Sequence, residues 1–466
     1  MLRGSVACYL RYMFNWNESK VPILQLGDDF YDPVQPALFP EKKLRYWNKA
    51  LELDIPFDRL CDFKRLPDNL PEPLALRYHG HQFQHYNPDL GDGRGFLYAQ
   101  IRKENQWFDL GTKGSGVTPY SRRGDGRLTL KGAVREALAT EMLQTLNVNT
   151  SKTAAIFETG EQLQRGDEPS PTRSAVLTRF SRGHIRIGTF QRLAYFRQTE
   201  NIKKLTSYSL FFYYPEVAAN VDFENEILVA TRFLEAVVFA NANLVAQVMM
   251  AGFVHGVLNT DNINISGELF DYGPYRFLPT YDPHFTAAYF DQQGLYSYGR
   301  QPATFLWNLS QLAEALKTAF PQLATKEILD GFSDQFNDRV HFHFLKKLNL
   351  KSLNQEADHE LLSHFFSWLD SEKLNFEQSF FDLSSRRVFE NQKNLEKYQS
   401  DAFRLLTARL EQYEVADFDV AKRSTAEKPC TLLIDEIETI WKNIADHDDW
   451  SLFEKKLQSI RLFRGD

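Results

Sequence analysis

The run AVVFANANLVAQVMMAGF at Ala236–Phe253 carries no charged residue, so any fold of this chain has to place it out of water. Its length is at the lower edge of what spans a bilayer. Asn241, Asn243 and Gln247 lie within it, and Arg232 and Glu235 precede it, groups that hydrocarbon would leave unsatisfied. It therefore predicts a buried core helix, opened by FENEILVATRFLEAVV beyond residue 222, and no membrane association. A chain of 466 residues is long enough to build a core around such a helix, with two or three structural units at about 150 residues each.

Charge and cysteine usage narrow the partners. The 54 Lys and Arg against 61 Asp and Glu give a net charge of −7, which argues against a protein that coats nucleic acid but leaves room for a local basic pocket. Cys8, Cys61 and Cys430 share no metal or redox spacing, and a reducing compartment is expected, cytoplasmic and of bacterial type. The opening MLRGSVACYLRYMFNWNESK is basic but lacks an apolar targeting core; either it is a targeting segment or translation begins at Met13.

The organisation is read from turns and periodicity. Residues 1–75 form an N-terminal extension, punctuated by Pro33, Pro36, Pro40, Pro67, Pro71 and Pro73, with short helical stretches expected around Leu44–Leu53. Residues 76–190 hold strand-like runs at Gly95–Arg102, Trp107–Gly111 and Ser174–Phe180, and one helix at about Lys131–Leu146 with Val134, Leu138, Met142 and Leu146 along one side. Residues 191–320 and a further region at 321–466 are helical in period. A small strand-rich half with one helix, followed by a larger helical half, is the order of an α+β, protein-kinase-like fold of two lobes with extensions at both ends.

Several segments could carry chemistry. LGDGRG (Leu90–Gly95) and GTKGSG (Gly111–Gly116) are neither Walker A nor GxGxxG, and each alone is a hairpin turn as well as a loop able to approach phosphate. Lys113 and Glu136 match the strand lysine and helix glutamate that hold phosphates in kinase-like folds, or are a surface lysine and a solvated acid. Arg122, Arg123 and Arg127 in PYSRRGDGR, and Arg179, Arg182 and Arg186 in RFSRGHIRIGTFQ, could clamp phosphoryl oxygens or be solvated. In HGVLNTDN, at His255–Asn262, a helix is expected to run into His255. Asn262 and Asp271 are spaced for a hard divalent cation, while Val257 stands where a kinase base would be, leaving Asp261 as the nearby carboxylate. His79, His81 and His85 lack metal-ligand spacing and are expected in structural roles, as is HFHF at His341–Phe344.

In order along the chain, YHGHQF, LGDGR, KGSGVTPYSRRGDGR, REALATEML, TRFSRGHIRIGTF, GFVHGVLNTDN, DYGP and QPATFLWNLSQLAEAL resemble the selenoprotein O family, the YdiU group of kinase-fold protein adenylyltransferases. The resemblance implies transfer of AMP from ATP to Ser, Thr or Tyr hydroxyls of other proteins, with the nucleotide reversed relative to kinases and Mg²⁺ or Mn²⁺ as cofactor. It implies nucleotide contacts at Gly91, Gly93, Arg94, Lys113, Asp125, Gly126, Arg179, Arg186 and Asp271. It further implies Glu136 as the partner of Lys113, Asp261 as proton acceptor, and Asn262 and Asp271 as metal ligands. Two departures stand out: Gln84 replaces a usual glycine, and the chain ends RLFRGD without the family's frequent C-terminal cysteine or selenocysteine, leaving Cys430 as the substitute by default. Uridylyl transfer from UTP with Mn²⁺, γ-phosphoryl transfer and a non-catalytic ATP-binding pseudokinase scaffold remain as alternatives. A monomer is the default state.

Overall fold

The structure, a computed structural model, describes residues 16–63, 65–385, 396–416 and 428–464; Cys8 and Met13 lie outside them. Strands β1 (Tyr31–Pro33), β2 (Lys43–Trp47), β3 (Leu74–Leu76), β4 (Gly80–Gln82), β5 (His85–Asn87), β6 (Leu97–Lys103), β7 (Gln106–Lys113), β8 (Leu128–Thr129), β9 (Lys152–Leu163) and β10 (Thr172–Ser181) come first in the chain, and all but β4 and β5 build the first lobe. Eight of them form one sheet in the order β1-β3-β6-β7-β10-β9-β2, with β8 on β10, while β4 and β5 form a separate hairpin. Every pairing is antiparallel.

The strand period of two assigns the faces of this sheet. On β10, Val176 and Phe180 face a core with Tyr98, Leu110 and Phe157, covered by Leu60 and Phe63 of the N-terminal extension. Ala175 and Leu177 face the opposite way, toward Val134 and Leu138 of helix α1 (Leu130–Thr145). Arg179 shares their parity and so projects on the α1 side. Helix α1 starts where Thr129 caps it, its hydroxyl accepting from the Gly132 amide at 3.1 Å.

Lys43–Trp47 is a strand, not the start of the helical stretch expected at Leu44–Leu53; only a single 3₁₀ turn, Lys49–Leu51, follows it. Pairing with β9 supplies the ladder hydrogen bonds, and tertiary context overrides a local pattern that suits a helix.

The second lobe is helical: α2 (Ile187–Tyr195), α3 (Thr199–Tyr213), α4 (Glu226–Met250), α5 (Gln301–Lys317) and α6 (Phe332–Leu348). The apolar run lies in α4, whose Phe233, Val237, Val238, Leu244 and Val245 are buried in the main core. By length and composition α4 is also the one described helix able to cross a membrane; here it lies within the core. It does not run into His255. It ends at Met250, Gly252 takes φ +61°, and a two-residue strand β11 (Phe253–Val254) pairs with β12 (Arg276–Phe277) before His255. A Cβ at Gly252 would meet the Phe376 ring at 2.6 Å.

The final helices return to the first lobe. Helix α7 (Ile434–His447) presents Glu438 to Lys131 Nζ at 2.7 Å, and α8 (Ser451–Arg464) presents Arg461 to Glu141 Oε1 at 2.9 Å. Glu141 is fully buried and also accepts from the Tyr46 hydroxyl at 2.5 Å. Helix α1 is thus held from both ends by the C-terminus. Cys430 is buried, with its Sγ 3.9 Å from Ser459 Oγ, and burial pushes its thiol up, which disfavours the thiolate that redox chemistry needs.

Candidate active site

Between the lobes lies a cleft of about 790 Å³ lined by Gly91, Gly93, Arg94, Lys113, Asp125, Gly126, Arg179, Arg186, Asp261, Asn262 and Asp271. Glu136 stands behind it on α1. The sheet register brings the cations together: β10 opposes β7 with Leu177 on Lys113 and Arg179 on Gly111. Lys113 Nζ lies 2.7 Å from Glu136 Oε2 and 3.2 Å from Asp271 Oδ1. Arg179 Nη2 bridges the same two acids, at 2.7 Å from Glu136 Oε1 and 2.8 Å from Asp271 Oδ1. Arg186, the residue preceding α2, reaches Asp271 Oδ2 at 3.2 Å and Asp92 Oδ1 at 3.3 Å.

Three cations therefore converge on Asp271, which sits at φ +56°. Burial opposes its charge, but Arg179, Lys113 and Arg186 outweigh burial and hold its carboxyl well below the usual carboxylate range. Glu136 follows the same logic: burial raises it, and Lys113 and Arg179 bring it below its ordinary value. Both arginines lie over aromatic rings, Arg186 over Tyr78 at 4.2 Å and over Phe270 at 4.8 Å, and Arg179 over Phe270 at 5.4 Å.

Asp261 is different. It sits in the 3₁₀ turn Thr260–Asn262, where its backbone carbonyl accepts from Arg186 Nη1 at 2.9 Å. Its Oδ1 is buried and has no hydrogen-bond partner among the described residues. Burial pushes its carboxyl up to about 6, with Arg186 opposing and Asp271 adding to the rise. A carboxylate with a vacant acceptor atom and a value near neutrality is suited to take a proton. Neighbouring Asn262 donates its Nδ2 to Val257 O at 2.9 Å, which leaves the amide oxygen as its acceptor.

The hairpin β4–β5 supports this turn. His81 N donates to Thr260 Oγ1 at 2.7 Å, Thr260 Oγ1 contacts Gln191 Oε1 at 2.6 Å, and Gln191 Nε2 meets His81 Nδ1 at 2.8 Å. His79 Nδ1 pairs with Tyr86 Oη at 2.8 Å. These are positioning roles for His79 and His81, as expected, whereas His85 is exposed at the hairpin. Phe83 and Gln84 at the hairpin tip both have positive φ, +49° and +63°. A left-handed Gln84 costs about 1–2 kcal/mol that a glycine would not.

The glycine loops are shaped by packing as well as by access. A Cβ at Gly91 would lie 2.3 Å from the Tyr120 ring, and one at Gly126, where φ is +68°, 2.2 Å from Gly116 O. Arg165 from the β9–β10 turn grips Asp125 at 2.8 and 3.0 Å. Partial burial raises the Asp125 carboxyl, but Arg165 and the Arg127 amide outweigh that and keep it below its ordinary value. Arg94, Arg122 and Arg123 are exposed along the cleft.

Asp92, Tyr78 and Arg165 are among the lining residues that sequence reasoning missed. Asp92 stands between the two loop glycines and accepts from the Leu76 amide at 3.0 Å as well as from Arg186. Tyr78 immediately precedes the histidine motif, and Arg165 lies in a turn with no motif at all. Asp92 and Tyr78 lay inside recognised segments, LGDGR and YHGHQF; Arg165 did not.

Among the described residues no group of three or more His, Cys, Asp or Glu could hold a metal alone. Asn262 and Asp271 offer hard oxygen donors on one cleft, a chemistry that would suit Mg²⁺ or Mn²⁺.

A family model described as protein adenylyltransferase SelO matches residues 16–461. The protein nucleotidyltransferase YdiU of Synechocystis sp. is 44% identical over 469 residues, covering 94% of this chain and 96% of that protein. The protein of the same name from Gloeobacter violaceus is 42% identical, covering 94% of this chain and 93% of its own length, and that of Bacillus cereus 36%, covering 93% and 90%. The chain therefore belongs to the SelO family of protein nucleotidyltransferases.

Proposed function

We propose that this protein transfers AMP from ATP to Ser, Thr or Tyr hydroxyls of other proteins, with ATP bound phosphates-inward. The observation that carries this reading is the inner cleft itself, where Arg179 and Arg186 are buried beside Lys113 and Asp271. An adenine ring wants an apolar slot, whereas three fixed cations want phosphoryl oxygens. A triphosphate entering first brings its α-phosphorus toward the Asp261 turn.

The bonds balance simply. Asp261 accepts the hydroxyl proton, the hydroxyl oxygen bonds to the α-phosphorus, and the bond from that phosphorus to the bridging oxygen of the β-phosphate breaks to release pyrophosphate. Lys113, held by Glu136, and the two arginines take the growing charge on pyrophosphate. A divalent ion held by Asn262 and Asp271 would supply charge neutralisation across the phosphates. Arg94 and the loops carrying Gly91, Gly93, Asp125 and Gly126 then face the nucleoside end.

ATP labelled at the α or the γ phosphate tests the reading with any acceptor protein or the chain itself. Label from the α position alone supports it; label from γ alone makes the protein a kinase, and neither leaves a nucleotide-binding scaffold. Labelled UTP with Mn²⁺ in the same assay decides the base, since the phosphate-binding residues do not discriminate between bases.

Arg179→Ala and Arg186→Ala are each expected to weaken ATP far more than AMP. A lost charge-assisted contact costs about 1.5–3 kcal/mol, roughly 10- to 150-fold in affinity. Calorimetric titrations with both nucleotides check this, and equal losses would place the arginines away from the β- and γ-phosphates.

A further inference from the structure

Beside the phosphate-binding cations lies a buried acid–histidine pair that the mechanism above does not use. His184 Nδ1 is 3.0 Å from Asp109 Oδ2 and 3.5 Å from Ser181 Oγ. Asp109 is held in turn by Gln100 Nε2 at 2.6 Å, and Gln100 Oε1 accepts from the Ile23 amide at 2.7 Å. The carboxylate accepts, so Nδ1 carries the hydrogen and the ring orientation is set. The far nitrogen, Nε2, has no hydrogen-bond partner among the described residues, and His184 lines the cleft.

The sheet register says where that nitrogen sits. Gly111 and Arg179 are directly opposed on β7 and β10, and opposed residues project to the same face. Gly111 has no side chain, and the imidazole fills its place: a Cβ there would lie 2.7 Å from His184 Nε2 and 2.9 Å from Cε1. His184 therefore presents Nε2 on the face of Arg179, two residues along β7 from Lys113. Glycine at 111 is what admits the ring.

We propose that His184, oriented by Asp109, is a further nucleotide contact, its Nε2 bonded to a terminal phosphate oxygen of the bound triphosphate. This rests on the phosphates-inward reading. A fourth donor beside Lys113, Arg179 and Arg186 would hold the β- and γ-phosphates and, after transfer, the pyrophosphate.

The test compares His184→Asn with His184→Gln in the full chain, by calorimetric titration of MgATP and AMP. The Asn amide keeps the Asp109 hydrogen bond but does not extend to the Nε2 position, which the Gln amide does. His184→Asn is expected to weaken ATP about tenfold and leave AMP within about twofold, and His184→Gln to recover most of the loss. ATP affinity within about twofold of wild type in His184→Asn would overturn the contact, as would a Gln variant no better than Asn. Arg179→Ala in parallel separates the two claims. If it discriminates ATP from AMP while His184→Asn weakens both equally, the contact fails alone; if both variants weaken both nucleotides equally, the orientation fails with it. A variant-independent readout is the ¹⁵N signal of His184 Nε2 in the wild-type chain. It should move on adding ATP and stay on adding AMP, and an unmoved signal with ATP would overturn the proposal whatever the variants do to folding.

Discussion

Replacing Asp261 by Asn is expected to slow AMP transfer by about 10²–10⁴-fold with nucleotide affinity nearly unchanged. The substitution keeps shape and the backbone carbonyl that Arg186 holds, and removes only the proton acceptor. The same residue dictates a pH limb. Burial lifts the Asp261 carboxyl to about 6, and a base works only when ionised. Wild-type transfer should therefore be flat above that value and fall about tenfold per unit well below it. Asp261→Asn should lack that limb. Initial rates across pH 5 to 8, with ATP saturating, measure both. Transfer by the variant within a few-fold of wild type would remove Asp261 from the chemistry and leave it a turn residue.

Asp271→Ala should have the larger effect. It deletes a proposed metal ligand and the anion on which Lys113, Arg179 and Arg186 converge. Losing several kcal/mol of charge stabilisation, at about 1.4 kcal/mol per decade, predicts a rate at least about 10³-fold lower. Three cations left with only Glu136 and Asp92 as counter-charges should also lower the melting temperature of the nucleotide-free protein. With the proposed metal ligand gone, any remaining ATP binding should be insensitive to chelator. Because these cations hold the Asp271 carboxyl well below its usual range, mild acid should not mimic the variant. Thermal shift with ATP, with and without Mg²⁺, decides the matter: an undiminished Mg²⁺-dependent rise in the variant refutes the ligand assignment.

What could be read from the residues alone was whatever local pattern determines. The strands around Leu97–Lys103 and Gln106–Lys113 and the helix Leu130–Thr145 announce themselves by period and glycine turns. Lys113 and Arg179 reach the cleft because they lie toward the ends of strands whose type was legible. Lys43–Trp47 was not legible, since its strand character comes from β9, more than a hundred residues on. Strand β9 itself went unrecognised: Gly160 and Glu161 interrupt its apolar run. The His184–Asp109 pair was equally hidden, because 75 residues separate its members and only the antiparallel register joins them. Contacts between distant elements carry no signature in either segment.

The grip of α8 on Glu141 places a timing constraint on the birth of this enzyme. Lys113 and Glu136 leave the ribosome early, but the helix that bears Glu136 is fully packed only once Arg461 has emerged. Chains grow at about 5–20 residues per second, so the 190 positions from Asp271, the last member of the cluster, to Arg461 take about 10–40 s to synthesise. For that interval the nascent chain carries the cluster of Lys113, Arg179, Arg186 and Asp271 while its supporting helix lacks its last neighbour. A chain that stopped before Arg461 would carry the cations and Asp271 without the contact that α8 makes to the helix behind them.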